Sequence, residues 1–341
     1  MKNNNSNSLW GNSLRFLPWS KKEDLTEIEK LLLSTNEEWY IAKHASNINE
    51  IKFLNNIKID RCRKCGSSNI VKNGFYNSKL QKFHCKDCGK NFSPITNTIF
   101  DSRKIPISEW LEYIIHLLEF HSVKSSSRDN KNAETTGKYW LIKVFSVLKN
   151  IQNDTLLEGN IYIDEIFFPI IKNKTITKDG KELRGISKNK ICVATALDNH
   201  NHFLFIVEHT SKPSDRSTWN ALGKHIKPDS HLIHDGERSH GILIRRLNLT
   251  EEYYKTDYTK RLKDEDNPLK PINHIHALAK RFMREHGGYD RNNLQDWMNL
   301  LVFIFSQPKN RYEKITKFIE MALDSPKKVK YRDVIKYKRH K

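Results

Sequence analysis

Two groups of residues in this chain have the types and spacing to do chemistry. The first is a pair of C-x-x-C-G motifs, Cys62-Arg63-Lys64-Cys65-Gly66 and Cys85-Lys86-Asp87-Cys88-Gly89. In each, a tight turn brings two thiolates to one side, and glycine tolerates the positive φ that ends the turn. Four thiolates suit tetrahedral Zn²⁺, and the 19 residues between Cys65 and Cys85 suit a zinc ribbon. Four sulfurs leave no open metal position, so such an ion would be structural. His84, beside Cys85, is a bystander in this reading, and Cys192 stands alone. A redox role is disfavoured, because the motif occurs twice and has no thioredoxin-like unit around it.

The second group is acidic. Asp164 follows Ile161-Tyr162-Ile163, and Asp235 follows His231-Leu232-Ile233-His234, so each closes an apolar strand. A buried carboxylate is costly without a partner, so an acid there needs a reason. Alternation along a strand puts Asp164 and Glu165 on opposite faces, and only one of them can point into a given site. Taken alone, each aspartate is more often a cap or turn residue. Together on adjacent strands they could hold Mg²⁺ (or Mn²⁺), the ions of phosphodiester chemistry. Asn273, His276, Ala277 and Lys280 stand at i, i+3, i+4 and i+7, one face of a helix. Asn273 offers a carbonyl oxygen to a metal, or an N-cap after Pro271-Ile272, and His276 fits a site residue and an ordinary partly buried imidazole equally. Lys280 lies ~10 Å further along the axis and could reach a phosphate.

These residues need a scaffold that holds them. Trp110, Tyr113, Ile114, Leu117 and Leu118 follow an amphipathic helical spacing, as do Leu141, Val144, Phe145 and Leu148. The polar stretch Ser125–Asn130 reads as a break between them. The layout fits a helix-turn-helix and equally a plain helical linker. From residue 160 the pattern turns to strands. Ile191–Leu197 and Phe203–Val207 read as a hairpin, and His231–His234 as a short strand. Helices are expected over Asp215–Ile226, 271–286 and 293–306. The predicted class is α/β, with a mixed sheet flanked by helices, preceded by a small zinc ribbon and a helical region. The predicted boundaries are an extension over 1–57, the ribbon over 58–98, the helical region over 99–155, the α/β domain over 156–323 and a basic tail over 324–341.

Composition names the partner class. The 341 residues carry 59 Lys plus Arg against 40 Asp plus Glu, a net charge of +19. That balance favours a polyanion, with nucleic acid first and an anionic membrane surface second. Lys64, Lys72, Lys79, Lys82, Lys86 and Lys90 decorate the cysteine block, interleaved with Phe75, Tyr76, Phe83 and Phe92. Those aromatics fit a DNA-contact face, and fit the packing of a small domain better. The longest apolar run, Leu300–Phe305, is far below the ~20 residues of a membrane span. The N-terminus lacks an apolar signal core, so the expected location is cytoplasmic, with reduced cysteines.

The motifs together resemble a known family. Cys-x-x-Cys-Gly, then Cys-x-x-Cys-Gly-Lys-x-Phe-Ser, Thr98-Ile99-Phe100 and Pro106-x-x-x-Trp110 are similar to the N-terminal half of bacterial insertion-sequence transposases of the ISXO-two-like group, the fifteen-ninety-five insertion-sequence family. Tyr162-Ile163-Asp164-Glu165 and His234-Asp235-Gly236 resemble its first two catalytic strands. Ile272-Asn273-His274-Ile275-His276-Ala277-Leu278-Ala279-Lys280-Arg281-Phe282 resembles its third motif. The likeness covers about residues 60–306 and implies an RNase H-like polynucleotidyl transferase. It implies Mg²⁺ on Asp164, Asp235 and Asn273, with Lys280 on a phosphate. Asn273 and Lys280 match the family's Asn–Lys variant rather than its three-carboxylate pattern. Glu265, Asp266 and Glu285 are the nearby alternatives for a third acid. The implied partners are double-stranded DNA, as element ends and target, and further copies of the chain on that DNA. The implied location is the bacterial cytoplasm, on the nucleoid. The alternative is an inactive or domesticated descendant that binds DNA without chemistry.

Overall fold

The computed structural model describes residues 50–103, 105–170, 190–324, 329–331 and 334. Most of the extension and most of the basic tail lie outside the described residues. The chain divides into two compact units. One is 1–96 with 102–109, the other 97–101 with 110–341.

In the smaller unit, strands β1 (Ile70–Phe75), β2 (Gln81–Cys85) and β3 (Asn91–Phe92) form an antiparallel sheet in that order. Phe83 and Phe92 are buried and stack at 5.4 Å beside Cys62 and Cys85. Phe75 and Tyr76 are exposed, so the four aromatics divide between packing and surface. A helical segment over residues 50–56, α1, is tied to this sheet by Asn55. Its side chain accepts from the Gln81 amide at 2.8 Å and donates to the Lys79 carbonyl at 3.0 Å.

The larger unit starts with three helices where two were expected. They are α2 (Ile107–Leu118, whose first residues belong to the smaller unit), α3 (Val123–Asp129) and α4 (Glu134–Leu148). The polar stretch Ser125–Asn130 is mostly helix α3, not a break. Ser122 caps it, accepting from the Ser125 amide at 3.1 Å. Ser126 and Ser127 turn their hydroxyls back onto the Ser122 and Val123 carbonyls at 3.0 and 2.7 Å. A serine whose hydroxyl bonds its own helix can be buried, and both are.

Five strands follow: β4 (Asn160–Pro169), β5 (Lys190–Asp198), β6 (Phe203–Thr210), β7 (His231–His234) and β8 (Thr250–Tyr253). Their order is β6-β5-β4-β7-β8. The pairs on the β6 side of β4 are antiparallel, and those on the β8 side are parallel. This mixed sheet, flanked by helices, is the expected α/β class. One face packs on α5 (Asp215–Leu222) and α6 (Gly241–Leu247) through Ile161, Ile163, Ala194, Leu204, Leu222 and Leu243. Helix α5 stops at Leu222, short of the expected Ile226. After two short elements, α7 (Thr256–Thr259) and a 3₁₀ turn at Asp264–Asp266, come α8 (Lys270–Glu285) and α9 (Leu294–Phe305). The expected stripe of α9, including Trp297, Met298, Leu301 and Phe305, is buried. Helix α10 (Arg311–Asp324) closes the unit.

The edge strand β6 is finished by side chains. The Phe205 amide donates to Gln152 Oε1 at 2.8 Å, and Gln152 Nε2 donates to the Phe205 carbonyl at 3.1 Å. Gln295 repeats the pattern, accepting from the Val207 amide at 2.8 Å and donating to the Phe205 carbonyl at 3.0 Å. Asn299 Oδ1 accepts from both glutamines, at 2.7 and 3.2 Å. Two amide side chains thus stand in for a missing strand and satisfy buried backbone groups. Gln152→Ala should leave the Phe205 amide unpaired. The expected cost is on the order of 2 kcal/mol, read as a lower Tm in a thermal melt. An unchanged Tm would refute this account of the edge.

Candidate functional site

Strand β4 carries the first acid. Asp164 lies in mid-strand rather than at its end, because β4 continues to Pro169 alongside β5. Asp235 follows β7 directly. The parallel pairing of β4 with β7 matches Asn160 to His231 and Tyr162 to Ile233. Continued by two residues, that register sets Asp164 level with Asp235 on one face. The two acids are close enough to act on each other. The Asp164 carboxyl is pushed up to about 7, first by burial, then by the charges of Asp235 and Glu165. Asp164 Oδ1 accepts from the Glu165 amide at 2.7 Å, and Asp235 Oδ1 from the Glu237 amide at 2.9 Å. Carboxylates crowded in this way favour a cation between them.

Helix α8 lies over the same face. His276 is buried, with Nδ1 3.5 Å from Asp164 Oδ2. Burial, and then the charge of Lys280, push this imidazole down to about 3, so it is neutral. Its Nε2 is buried with no hydrogen-bond partner among the described residues. The sequence left His276 open between a site residue and an ordinary histidine; the fold sets it beside Asp164. Asn273 and Lys280 are exposed, one helical turn either side of His276. Asn273 is not an N-cap, since the helix begins at Lys270 with Leu269 in the cap position. Asp264, Glu265 and Asp266 form an exposed 3₁₀ turn, and Glu285 lies ~14 Å along the helix from His276. None of the alternative acids is held as Asp164 is.

Behind this face runs a line of groups that the sequence did not single out. Glu165 points to the other side of β4 and is almost fully buried. Its Oε1 lies 2.9 Å from His240 Nε2, His240 Nδ1 lies 3.0 Å from His234 Nδ1, and His234 Nε2 lies 3.2 Å from Glu251 Oε2. The Gly236 amide also donates to His234 Nδ1, at 3.1 Å. The network therefore assigns the protons. His234 is neutral and accepts at Nδ1, while His240 donates from both nitrogens and pairs with Glu165 as a cation. Burial alone would lower His240, but Glu165 overcomes it and holds the imidazole above its ordinary range. His234 is held below that range by burial and by the charge of His240.

A third buried acid, Glu208 on β6, accepts from Ser217 Oγ at 2.8 Å, and its Oε1 has no hydrogen-bond partner among the described residues. Burial drives its carboxyl up to about 7, with Glu165 adding to the shift.

The cysteine motifs converge. Cys62 Sγ and Cys88 Sγ are 3.8 Å apart, and Cys65 Sγ and Cys85 Sγ 3.6 Å. Sulfurs bound to one Zn²⁺ at 2.3 Å stand about 3.8 Å apart, so the four fit a tetrahedral ion. Gly66 and Gly89 adopt φ of 79° and 66°, and their amides donate to the Cys62 and Cys85 carbonyls at 2.9 Å. Backbone amides, that of Cys88 foremost, hold the Cys85 thiol down to about 6, which favours the thiolate a metal needs.

No protein-family model matches this chain, and no curated protein matches its sequence. Among solved structures, the chain is similar to the Mos1 strand transfer complex at 10% identity and a TM-score of 0.21, over 65% of this chain and 78% of that one. It is likewise similar to the Mos1 mariner paired end complex with Mn, at 10% identity and a TM-score of 0.20, over 63% and 77%. Scores this low support no inference about function.

Two outcomes test this description. Unfolded, Glu208 ionises near its ordinary value of 4.5; folded, it holds its proton to about pH 7. The wild type therefore loses stability as pH rises between those values, and Glu208→Gln does not. The variant's gain in stability should be absent below pH 4.5, and reach on the order of 2 kcal/mol above pH 7, read as a rise in Tm. A pH-independent difference would contradict the assignment. In the ribbon, Cys85→Ser should remove one zinc per chain by elemental analysis and unfold that unit. A metal-free wild type with the same fold would reject the site.

Proposed function

We propose that this protein is a DNA transposase, binding the inverted repeats at the ends of an insertion sequence and carrying out metal-dependent cleavage and strand transfer. The observation that supports the reading most strongly is the level placement of Asp164 and Asp235 on adjacent parallel strands. The raised Asp164 carboxyl indicates a place that lacks positive charge. Asp164, Asp235 and Asn273 would hold Mg²⁺ (or Mn²⁺), with Asn273 reaching in from the exposed face of α8. When bound, the ion supplies activation of water or a 3′-hydroxyl and stabilisation of the leaving oxygen.

The chain's own groups do the rest. Asp164 and Asp235 fix two oxygens on rigid strands. His276, neutral and buried, borders Asp164 without adding charge. Lys280, exposed one turn further along α8, takes a DNA phosphate. The four-thiol ribbon holds Zn²⁺ and offers Lys72, Lys82, Phe75 and Tyr76 to the duplex, with Lys82 Nζ 5.9 Å above the Tyr76 ring. The net charge of +19 supports a polyanionic partner. Assembly of several copies on two DNA ends, in a bacterial cytoplasm, belongs to the same reading.

The test is a strand-transfer assay with Mg²⁺ or Mn²⁺ on the DNA flanking the gene. Wild type should give joined products. Asp164→Ala and Asp235→Ala should each reduce them by at least about 10³-fold while binding DNA nearly as well. Activity that survives either change would overturn the site. Cut ends without joining would point to a nuclease, and binding without any product to a protein that keeps only the DNA contact.

A further inference from the structure

The turn after α2 joins two imidazoles. The His121 amide donates to the His116 carbonyl at 2.9 Å, and the Phe120 amide to the Leu117 carbonyl at 3.2 Å, with Phe120 at φ 67°. This is a Schellman ending, in which the residue past the turn lies over the last helical turn. Such pairs are usually apolar. Here they are His121 over His116, with ring centroids 5.0 Å apart and planes 17° from parallel. The left-handed Phe120 is held by its ring, which packs edge-on against Phe282 at 5.1 Å.

A carboxylate completes the group. Asp129 ends α3, and its Oδ2 lies 4.0 Å from His121 Nδ1. One nitrogen from each histidine and one oxygen of Asp129 lie within 4.8 Å of one another. The Nδ1 atoms of both histidines are buried without a hydrogen-bond partner among the described residues. Two orphaned nitrogens in one place are costly, unless something binds both. Ser125 Oγ donates to Asp129 Oδ2 at 3.3 Å, and Arg128 Nε approaches Oδ1 at 3.7 Å. Those contacts orient the carboxylate, as partners of metal ligands do, and leave it lone pairs to spare.

A comparison within the molecule sharpens the point. His234, Asp235 and His240 also bring ligand atoms within 4.8 Å. Their imidazole nitrogens, however, are taken by each other, by Glu165, by Glu251 and by the Gly236 amide. At His116 and His121 the Nδ1 atoms remain available.

We propose that His116, His121 and Asp129 bind a divalent transition-metal ion of the zinc type, at a site distinct from the four thiols and from the acids of the sheet. Two imidazoles and one carboxylate select Zn²⁺, Co²⁺ or Ni²⁺ over Mg²⁺. Ligands about 2.0 Å from zinc stand about 3.3 Å apart, a closure within reach of small side-chain rotations. Three protein ligands leave a fourth position to water. The ion would lock the end of α2 to the end of α3. The proposal does not depend on the function proposed above.

Co²⁺ reports the site directly. The full chain, with zinc in the ribbon and excess Mg²⁺ present, is titrated with Co²⁺ and followed by absorption. Wild type should gain d–d bands at one equivalent, without the near-ultraviolet charge transfer of thiolate ligation. His121→Asn and Asp129→Asn should each weaken that uptake by more than about tenfold, since loss of a mere supporting partner already costs about that much. Asp129 is exposed and its amide is isosteric, so this variant keeps the fold, which circular dichroism checks. Thiolate bands, no uptake by wild type, or equal uptake by wild type and Asp129→Asn would each overturn the proposal.

Discussion

The larger unit is organised around one buried anion. Glu165 sits on the inner side of the central strand, where a carboxylate without a partner is strongly disfavoured. His240 supplies the countercharge from the short 3₁₀ turn Arg238–His240, which follows β7. His240 in turn needs an acceptor, and His234, the last residue of β7, provides it. The requirement of one acid thus fixes the segment 234–240 against β4. Asp235 lies within that segment, and the same constraint that neutralises Glu165 holds Asp235 level with Asp164. The faces of β4 divide the work. One acid is sealed and compensated, and its neighbour in sequence is left facing α8.

The sheet is also sealed unevenly. At the β6 edge, Gln152 and Gln295 bond the backbone as a strand would, with Asn299 joining them. At the other edge, all four residues of β8 are exposed. Two buried lysines of this unit are matched to carbonyl partners. Lys143 bonds the Ile99 carbonyl at 2.6 Å, and Lys314 bonds those of Phe303, Ile304 and Ser306 at the end of α9. A chain with this much charge builds its interior partly from the apolar stems of lysines, their ends docked on carbonyls.

Features with local causes were legible in the sequence. The knuckles follow from cysteine spacing and two glycines, and α9 from its apolar stripe. Strands β5 and β6 follow from hydrophobic runs either side of Asp198–Asn201. Asp164 and Asp235 stood out because acids are rare beside apolar strands. Features made by distant pairing were not legible. Glu165 read as the strand's other face, with nothing in its neighbours to reveal a histidine 75 residues away. The serines of α3 read as a break, because their helical use depends on hydroxyls turning back onto their own backbone. His276 was undecided, since a histidine's burial is a property of what packs on it. Asn273 and Lys280 are exposed on α8, one turn either side of the buried His276.

The anchoring of β4 has a consequence for how its sequence can change. The strand enters through Leu157, whose amide and carbonyl bond the His225 carbonyl and the Lys227 amide, and through Gly159, whose carbonyl accepts from His231. These bonds count residues. A single insertion between Gly159 and Asp164 would shift the strand by one and exchange its faces. Two adjacent acids would then trade places, the sealed one emerging toward α8 and the one that faced α8 entering the pocket of His240. Both acids would be retained and a carboxylate would still occupy each face, yet neither would meet its proper surroundings. In this strand the count of residues matters alongside their chemical type, because it decides which acid each face receives.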